Sequence, residues 1–297
     1  MPQDTLNLGI WDRIVRGWKM TKLGMRVIRA DPELMIYTLF SLILSAGVAL
    51  LVISGTWGLS ALIPETTDAA SNSNEEDAFA VATLTLAFLG YMTISIVTVF
   101  WNSAIIASAY ERLSSGSNPS FSFGIKKASE CLPSIFIWGI ISGTVGLFLK
   151  ILEGISRDEK AGPLAFFAML IAWILGAAWW ALTFFVVPMM VLDKHGVFDS
   201  LQSSPKLFAD TWGENAGATG GLGIIQFLAT LLCISICMPL FLLGDYGFIF
   251  GIVMILFLLG LISLFFVTVD SVNRASMYYY AKTGEMPPMA EKMGIVF

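Results

Sequence analysis

The chain has 297 residues, 56% of them hydrophobic and only 13% charged, with a mean hydropathy of +0.77 and a net charge of −5. A soluble domain carries about 25% charged residues, so there is too little polar surface here to cover a water-soluble globule. Three cysteines and a single histidine, His195, exclude a disulfide framework and a zinc site with its nitrogen and sulfur ligands.

Residues 1–32 read as a basic amphipathic helix. Ile10, Trp11, Ile14, Val15 and Trp18 fall on one face at helical spacing, and Arg13, Arg16 and Lys19 occupy the other. Such a helix lies in the headgroup layer, with Trp11, Arg13, Arg16, Trp18 and Lys19 as the expected lipid contacts. A helix that caps a bundle without touching lipid would show the same pattern. The stripe loses phase after Lys22, and Gly24 reads as a break. Nothing at the start reads as a cleavable signal, so the first apolar run is expected to be a retained span. Neither end carries a lipidation motif.

Apolar runs at 34–61 and 78–108 are long enough to cross a membrane. Between them lies an acidic stretch with Glu65, Asp68, Glu75, Glu76 and Asp77 and no Lys or Arg, read as a solvated loop. After the second run, Gly116, Asn118 and Pro119 form a turn and Ser120 is placed to cap a helix. That helix carries an apolar stripe through Phe121, Ile125, Ala128 and Leu132. The third span, 133–152, contains Gly139-x-x-x-Gly143, a spacing that permits close helix approach. The fourth, 164–192, should kink near Pro188.

A turn at Asp193–Gly196 leads to a third amphipathic stretch, Phe198, Leu201, Pro205, Phe208 and Trp212. Residues 217–223, rich in glycine, read as loose. The fifth span, 222–243, contains Pro239; Gly244–Gly247 reads as a tight turn before the sixth span, 248–269. Cys233 and Cys237, one helical turn apart in an apolar run, read as small packing residues.

Fourteen of the 17 Lys and Arg residues fall before the first span, after each even-numbered span, or in the tail. Short loops rich in Lys and Arg stay cytoplasmic. The expected fold is therefore all-α: a polytopic membrane bundle of six transmembrane helices, arranged as three hairpins with cytoplasmic interfacial helices. Both termini are expected in the cytoplasm, at the plasma membrane. The domain plan is a basic helix at 1–32, one six-span membrane domain at 33–288 and a short tail at 289–297. A shift of 168 residues lays Ala107-Ser108-x-Tyr110 on Ala275-Ser276-x-Tyr278, Gly116-x-x-Pro119 on Gly284-x-x-Pro287 and Asn102 on Asp270. An internal repeat of hairpins is the simplest account.

Tyr110-Glu-Arg-Leu-x-x-Gly-x-x-Pro-Ser-Phe121, Phe185-Val-Val-Pro188 with Ser204-Pro-x-x-Phe208-x-x-x-Trp212-Gly213, and Tyr280-Ala-x-x-Gly284-x-x-Pro287 carry a resemblance. The chain resembles an uncharacterised family of prokaryotic six-span membrane proteins, a domain of unknown function. The resemblance implies a plasma-membrane location and the hairpin-plus-surface-helix plan, and no activity.

No acidic or basic residue lies mid-span, and charges at that depth are what usually mark function. The nearest are Asp270 and Arg274, with Asn102 at the matching level of the second span and Tyr110 and Tyr278 beside them. One reading is a polar clasp at a cytoplasmic mouth; the other is a local Asp–Arg pair worth about 0.3–0.5 kcal/mol if exposed. No nucleophile elbow, phosphate loop or His-Glu-x-x-His motif occurs, and His195 reads as a solvated turn residue. No catalytic, cofactor or metal residue is therefore expected, and no nucleic-acid partner. Membrane lipid is the expected partner, with a homo-oligomer or a partner membrane protein left open. A non-enzymatic scaffold, assembly or regulatory component ranks first. A transporter for a small or amphipathic, lipid-like solute is the alternative, and a membrane-embedded enzyme ranks third.

Overall fold

The structure, a computed structural model, describes residues 9–61, 73–156 and 163–295. Glu65 and Asp68 lie outside the described residues, as do the side chains of Glu75, Glu76, Asp77 and Asp245. Among the described residues there is no strand.

Among the described residues six stretches are long and apolar enough to cross a membrane, from Leu34–Leu59 to Tyr246–Thr283. Helix α1 is Ile10–Ala30, α2 is Leu34–Ala61 and α3 is Ser73–Ser115. Helix α4 (Phe121–Glu130) precedes α5 (Leu132–Ser156) and α6 (Pro163–Thr183); α7 (Val186–Leu192) and α8 (Val197–Asp210) lead to α9 (Trp212–Cys237). Helix α10 (Gly244–Thr283) and the short α11 (Pro288–Lys292) complete the order.

Several boundaries differ from the sequence reading. Helix α1 runs unbroken through Gly24, whose missing Cβ leaves room for the Asn273 amide of α10. The acidic loop is shorter than expected, since α3 has already begun at Ser73. Residues 217–223 are not loose: they are helical within α9. Gly213, Gly217 and Gly221 form one face of that helix, set against Arg13, Ile14 and Trp18 of α1. The turn at 244–247 shrinks to Gly244 alone, at φ +77°, and α10 starts there.

The two prolines act as their chemistry requires. Pro188 has no N–H for the carbonyl four residues back, and the helix is interrupted there, at Phe184–Phe185 between α6 and α7. The N–H of Phe185 donates instead to Ser204 Oγ at 3.1 Å. Pro239 sits in a 3₁₀ stretch, Met238–Leu242, that follows α9.

The chain divides into two compact units. The first holds α1, the start of α2, the end of α3, α4 and the described chain from Ala181 onward. Its centre is the seam of α1 against α9 and α10. Gly17, Met20, Thr21, Gly24, Val27 and Ile28 are buried at helical spacing. Thr21 Oγ1 donates to the Ala218 carbonyl at 2.8 Å. Small residues on both helices let the backbones approach closely, the same device that GxxxG pairs use within membranes.

The second unit spans Phe40–Trp101 and Leu132–Trp180. Here Gly139 and Gly143 of α5 face Ile96 and Met92 of α3, and Ser95 Oγ donates to the Gly139 carbonyl at 2.8 Å. Trp138 stacks on Trp179 at 5.8 Å, and Phe40 on Trp101 at 5.3 Å. Leu51, Trp57, Leu84 and Trp173 stand exposed on the outside. Large apolar groups outward and glycine inward is the pattern of helices solvated by lipid.

Candidate functional site

The polar side chains of the first unit gather where the sequence placed the basic loops. There they tie the helices together one by one. Thr38 of α2 meets Thr268 of α10, oxygen to oxygen at 2.7 Å. Tyr37 bonds Ser108 of α3 at 2.9 Å and donates to the Phe121 carbonyl at 2.8 Å, with its ring stacked on Phe121. Cys131 Sγ donates to the Met190 carbonyl of α7 at 3.3 Å. All three cysteines are free and buried.

The expected clasp divides in two. Asp270 pairs with Arg274 one turn on, Oδ2 to Nε 2.9 Å, and the Arg274 guanidinium lies over the Phe184 ring at 5.0 Å. Asn102 does not join this pair: its Oδ1 accepts from Ser271 Oγ at 2.8 Å. Neighbouring residues on a helix point about 100° apart, so Ser271 faces α3 while Asp270 faces the α6–α7 junction. Tyr110 packs against Tyr278 and Tyr279, with ring centres 6.4 and 5.8 Å away.

Tyr278 has a partner that the sequence reading did not assign. Its hydroxyl donates to Asp193 Oδ2 at 2.6 Å, and Lys282 Nζ holds Asp193 Oδ1 at 2.5 Å. Tyr278 and Lys282 are one turn apart on α10, so one carboxylate in the turn after α7 closes on both. The next residue, Lys194, adopts φ +57° and reaches Glu130 of α4 at 3.0 Å. Only the i, i+4 spacing of Tyr278 and Lys282 hinted at this from the sequence.

Helix α1 turns residues of both its apolar stripe and its basic face toward the protein, with Ile14 and Trp18 packed on α9 and Arg13 and Arg16 making polar contacts. Arg13, assigned to lipid, places its Nε 3.1 and 3.2 Å from the two carboxylate oxygens of Glu214, which is 1% exposed, and it also bonds the Asp210 carbonyl. Arg16 donates to the Tyr280 hydroxyl at 3.1 Å. Trp11 is exposed, and Trp18 lies over Gly221. Glu214, Asp193 and Ser271 are thus the residues that sequence reasoning missed, each a partner for a group it had singled out.

Two carboxylates outside the spans respond oppositely to pH. Burial pushes the Asp193 carboxyl up, but Lys282 and Tyr278 outweigh it and hold it below its ordinary range. Burial pushes the Asp31 carboxyl above its ordinary range, only partly offset by Arg112 at 3.8 Å. A carboxyl lowered on folding stabilises above its unfolded pKa, about 3.9, and loses that contribution as pH falls through the folded value. A raised one stabilises at low pH and loses its contribution as pH rises from the unfolded to the folded value. Thermal unfolding in detergent across the acid range should therefore show the stability gap to Asp193→Asn closing as pH falls. The gap to Asp31→Asn should move the other way. Parallel pH profiles for wild type and both variants would refute these assignments.

Among the described residues no group of three or more His, Cys, Asp or Glu side chains is placed to hold a metal ion. The polar side chains placed here link one helix to another. An all-α chain with six apolar span-length helices among the described residues is a multi-pass membrane protein. The chain belongs to a family of unknown function (DUF6159), whose model matches residues 81–287. No curated protein matches it.

Proposed function

We propose that the protein is a non-enzymatic scaffold or assembly component of the plasma membrane, with both termini in the cytoplasm and its polar collar at the inner leaflet. One observation carries this reading. Direct side-chain bonds link α1, α2, α3, α9, α10 and the turn after α7 at the end where Lys and Arg crowd. A collar bonded in this way resists the rocking by which transporters alternate access. The three-hairpin repeat belongs to the same reading. Gly116 and Gly284 both take φ +75°, and both donate their N–H to the carbonyl four residues back at the end of a long helix.

Transport of a small or amphipathic, lipid-like solute is the second reading, and the interruptions at Phe184–Phe185 and Met238–Leu242 favour it. Reconstitution separates the two. Proteoliposomes holding the full chain should release a panel of small solutes and fluorescent lipids no faster than protein-free vesicles. A saturable flux of any of them would replace the scaffold with a transporter.

A further inference from the structure

With Arg13 and Arg16 turned into the protein, α1 keeps a different outward ridge. Trp11 is 78% exposed and Val15 47% exposed, and Trp18 is half-buried under the ammonium of Lys22, 5.7 Å from its ring. The same line continues through Lys22, Arg26 and Arg29, all exposed. At 3.6 residues per turn these six positions fall within one narrow sector. The ridge is therefore split along its length, apolar and aromatic in its first half and basic in its second. Arg26 gives one donor to the Met293 carbonyl and is itself exposed.

The geometry points to this ridge as a binding site for phospholipids with anionic headgroups. Trp11, Val15 and Trp18 would sit at the acyl boundary, and Lys22, Arg26 and Arg29 would take the phosphate. This rests on the inner-leaflet reading above and names the lipid class that the collar meets. Three features choose lipid over another occupant. The ridge belongs to a chain with six span-length helices, and α2, the first of them, starts four residues after α1 ends. Tryptophan beside basic residues is the composition of the membrane interface. Three cations in a row complement anionic headgroups, each worth roughly fivefold in affinity at a charged membrane surface.

The test uses the full chain in detergent or nanodiscs, titrated with dioleoyl phosphatidylglycerol, dioleoyl phosphatidylcholine and inorganic phosphate, with bound lipid counted by native mass spectrometry. Wild type should prefer phosphatidylglycerol, and inorganic phosphate should not displace it. Lys22→Gln, Arg26→Gln and Arg29→Gln together should weaken phosphatidylglycerol by about 100-fold and leave phosphatidylcholine unchanged. The charge-conserving set Lys22→Arg, Arg26→Lys and Arg29→Lys should retain the preference, and all variants should keep a single cooperative unfolding transition. An undiminished preference in the glutamine variant, or displacement by phosphate, overturns the site. Nanodiscs have no sidedness, so this outcome is independent of which leaflet the collar faces; labelling from each side of the membrane decides that separately.

Discussion

Gly217→Ala should loosen α1 from the body of the protein, while Gly220→Ala, three residues along the same helix, should be neutral or stabilising. A Cβ on Gly217 would overlap the Ile14 carbonyl oxygen and lie 2.9 Å from the Ile14 Cα, all of it backbone that has no rotamer to change. A Cβ on Gly220 meets nothing within 4 Å. Replacing glycine by alanine in an open helical site gains roughly 0.5–1 kcal/mol, whereas forcing a group into a packed seam costs about 1–3 kcal/mol. The two variants should thus differ by about 1.5–4 kcal/mol, with the sign reversed between them. Gly17→Ala should behave like Gly217→Ala, since its Cβ would overlap the Glu214 carbonyl oxygen and lie 2.6 Å from the Ala218 nitrogen. Thermal unfolding in detergent reads the difference, and trypsin cleavage within α1 should accelerate only in the seam variants. Equal stability of Gly217→Ala and Gly220→Ala would mean that α1 does not rest on α9.

Arg13→Met should cost about 3 kcal/mol or more, the usual penalty for leaving one member of a buried ion pair alone. Glu214 is 1% exposed, and its carboxylate oxygens lie 3.1 and 3.2 Å from the Arg13 Nε. Removing the guanidinium strands that carboxylate and leaves the Asp210 carbonyl without its donor. The double variant Arg13→Met/Glu214→Met should recover most of the loss, because a well-packed apolar pair often replaces a buried ion pair without penalty. A double-mutant cycle on the unfolding free energy measures the coupling. Additive losses in the double variant would place the two side chains apart.

The six spans were legible in the sequence because each run exceeds the roughly 18 residues that hydrocarbon demands; run length needs no knowledge of neighbours. Pro188 was legible for a similar reason, since its missing N–H acts locally. What could not be read was which side of a helix meets protein. On α1 the apolar stripe was clear, but the opposite face, given to headgroups, instead carries Arg13 and Arg16 into contact with Glu214 and Tyr280. Glycines at 213, 217 and 221 look like a flexible stretch until a second helix is laid on them. The split of the clasp has the same origin: composition brings Asn102 and Asp270 to one level, and only the rotation of α10 decides that Ser271 is the partner.

Sidedness tests the account most directly. In a cysteine-free background, single cysteines at Lys126 and Lys206, both exposed, and at Tyr246, which is 90% exposed, are labelled with a membrane-impermeant maleimide. In right-side-out vesicles only the Tyr246 cysteine should react, and in inverted vesicles only the other two. Reaction of the Lys126 or Lys206 cysteine from outside, with the Tyr246 cysteine protected, would put the polar collar on the wrong face of the membrane and contradict the account.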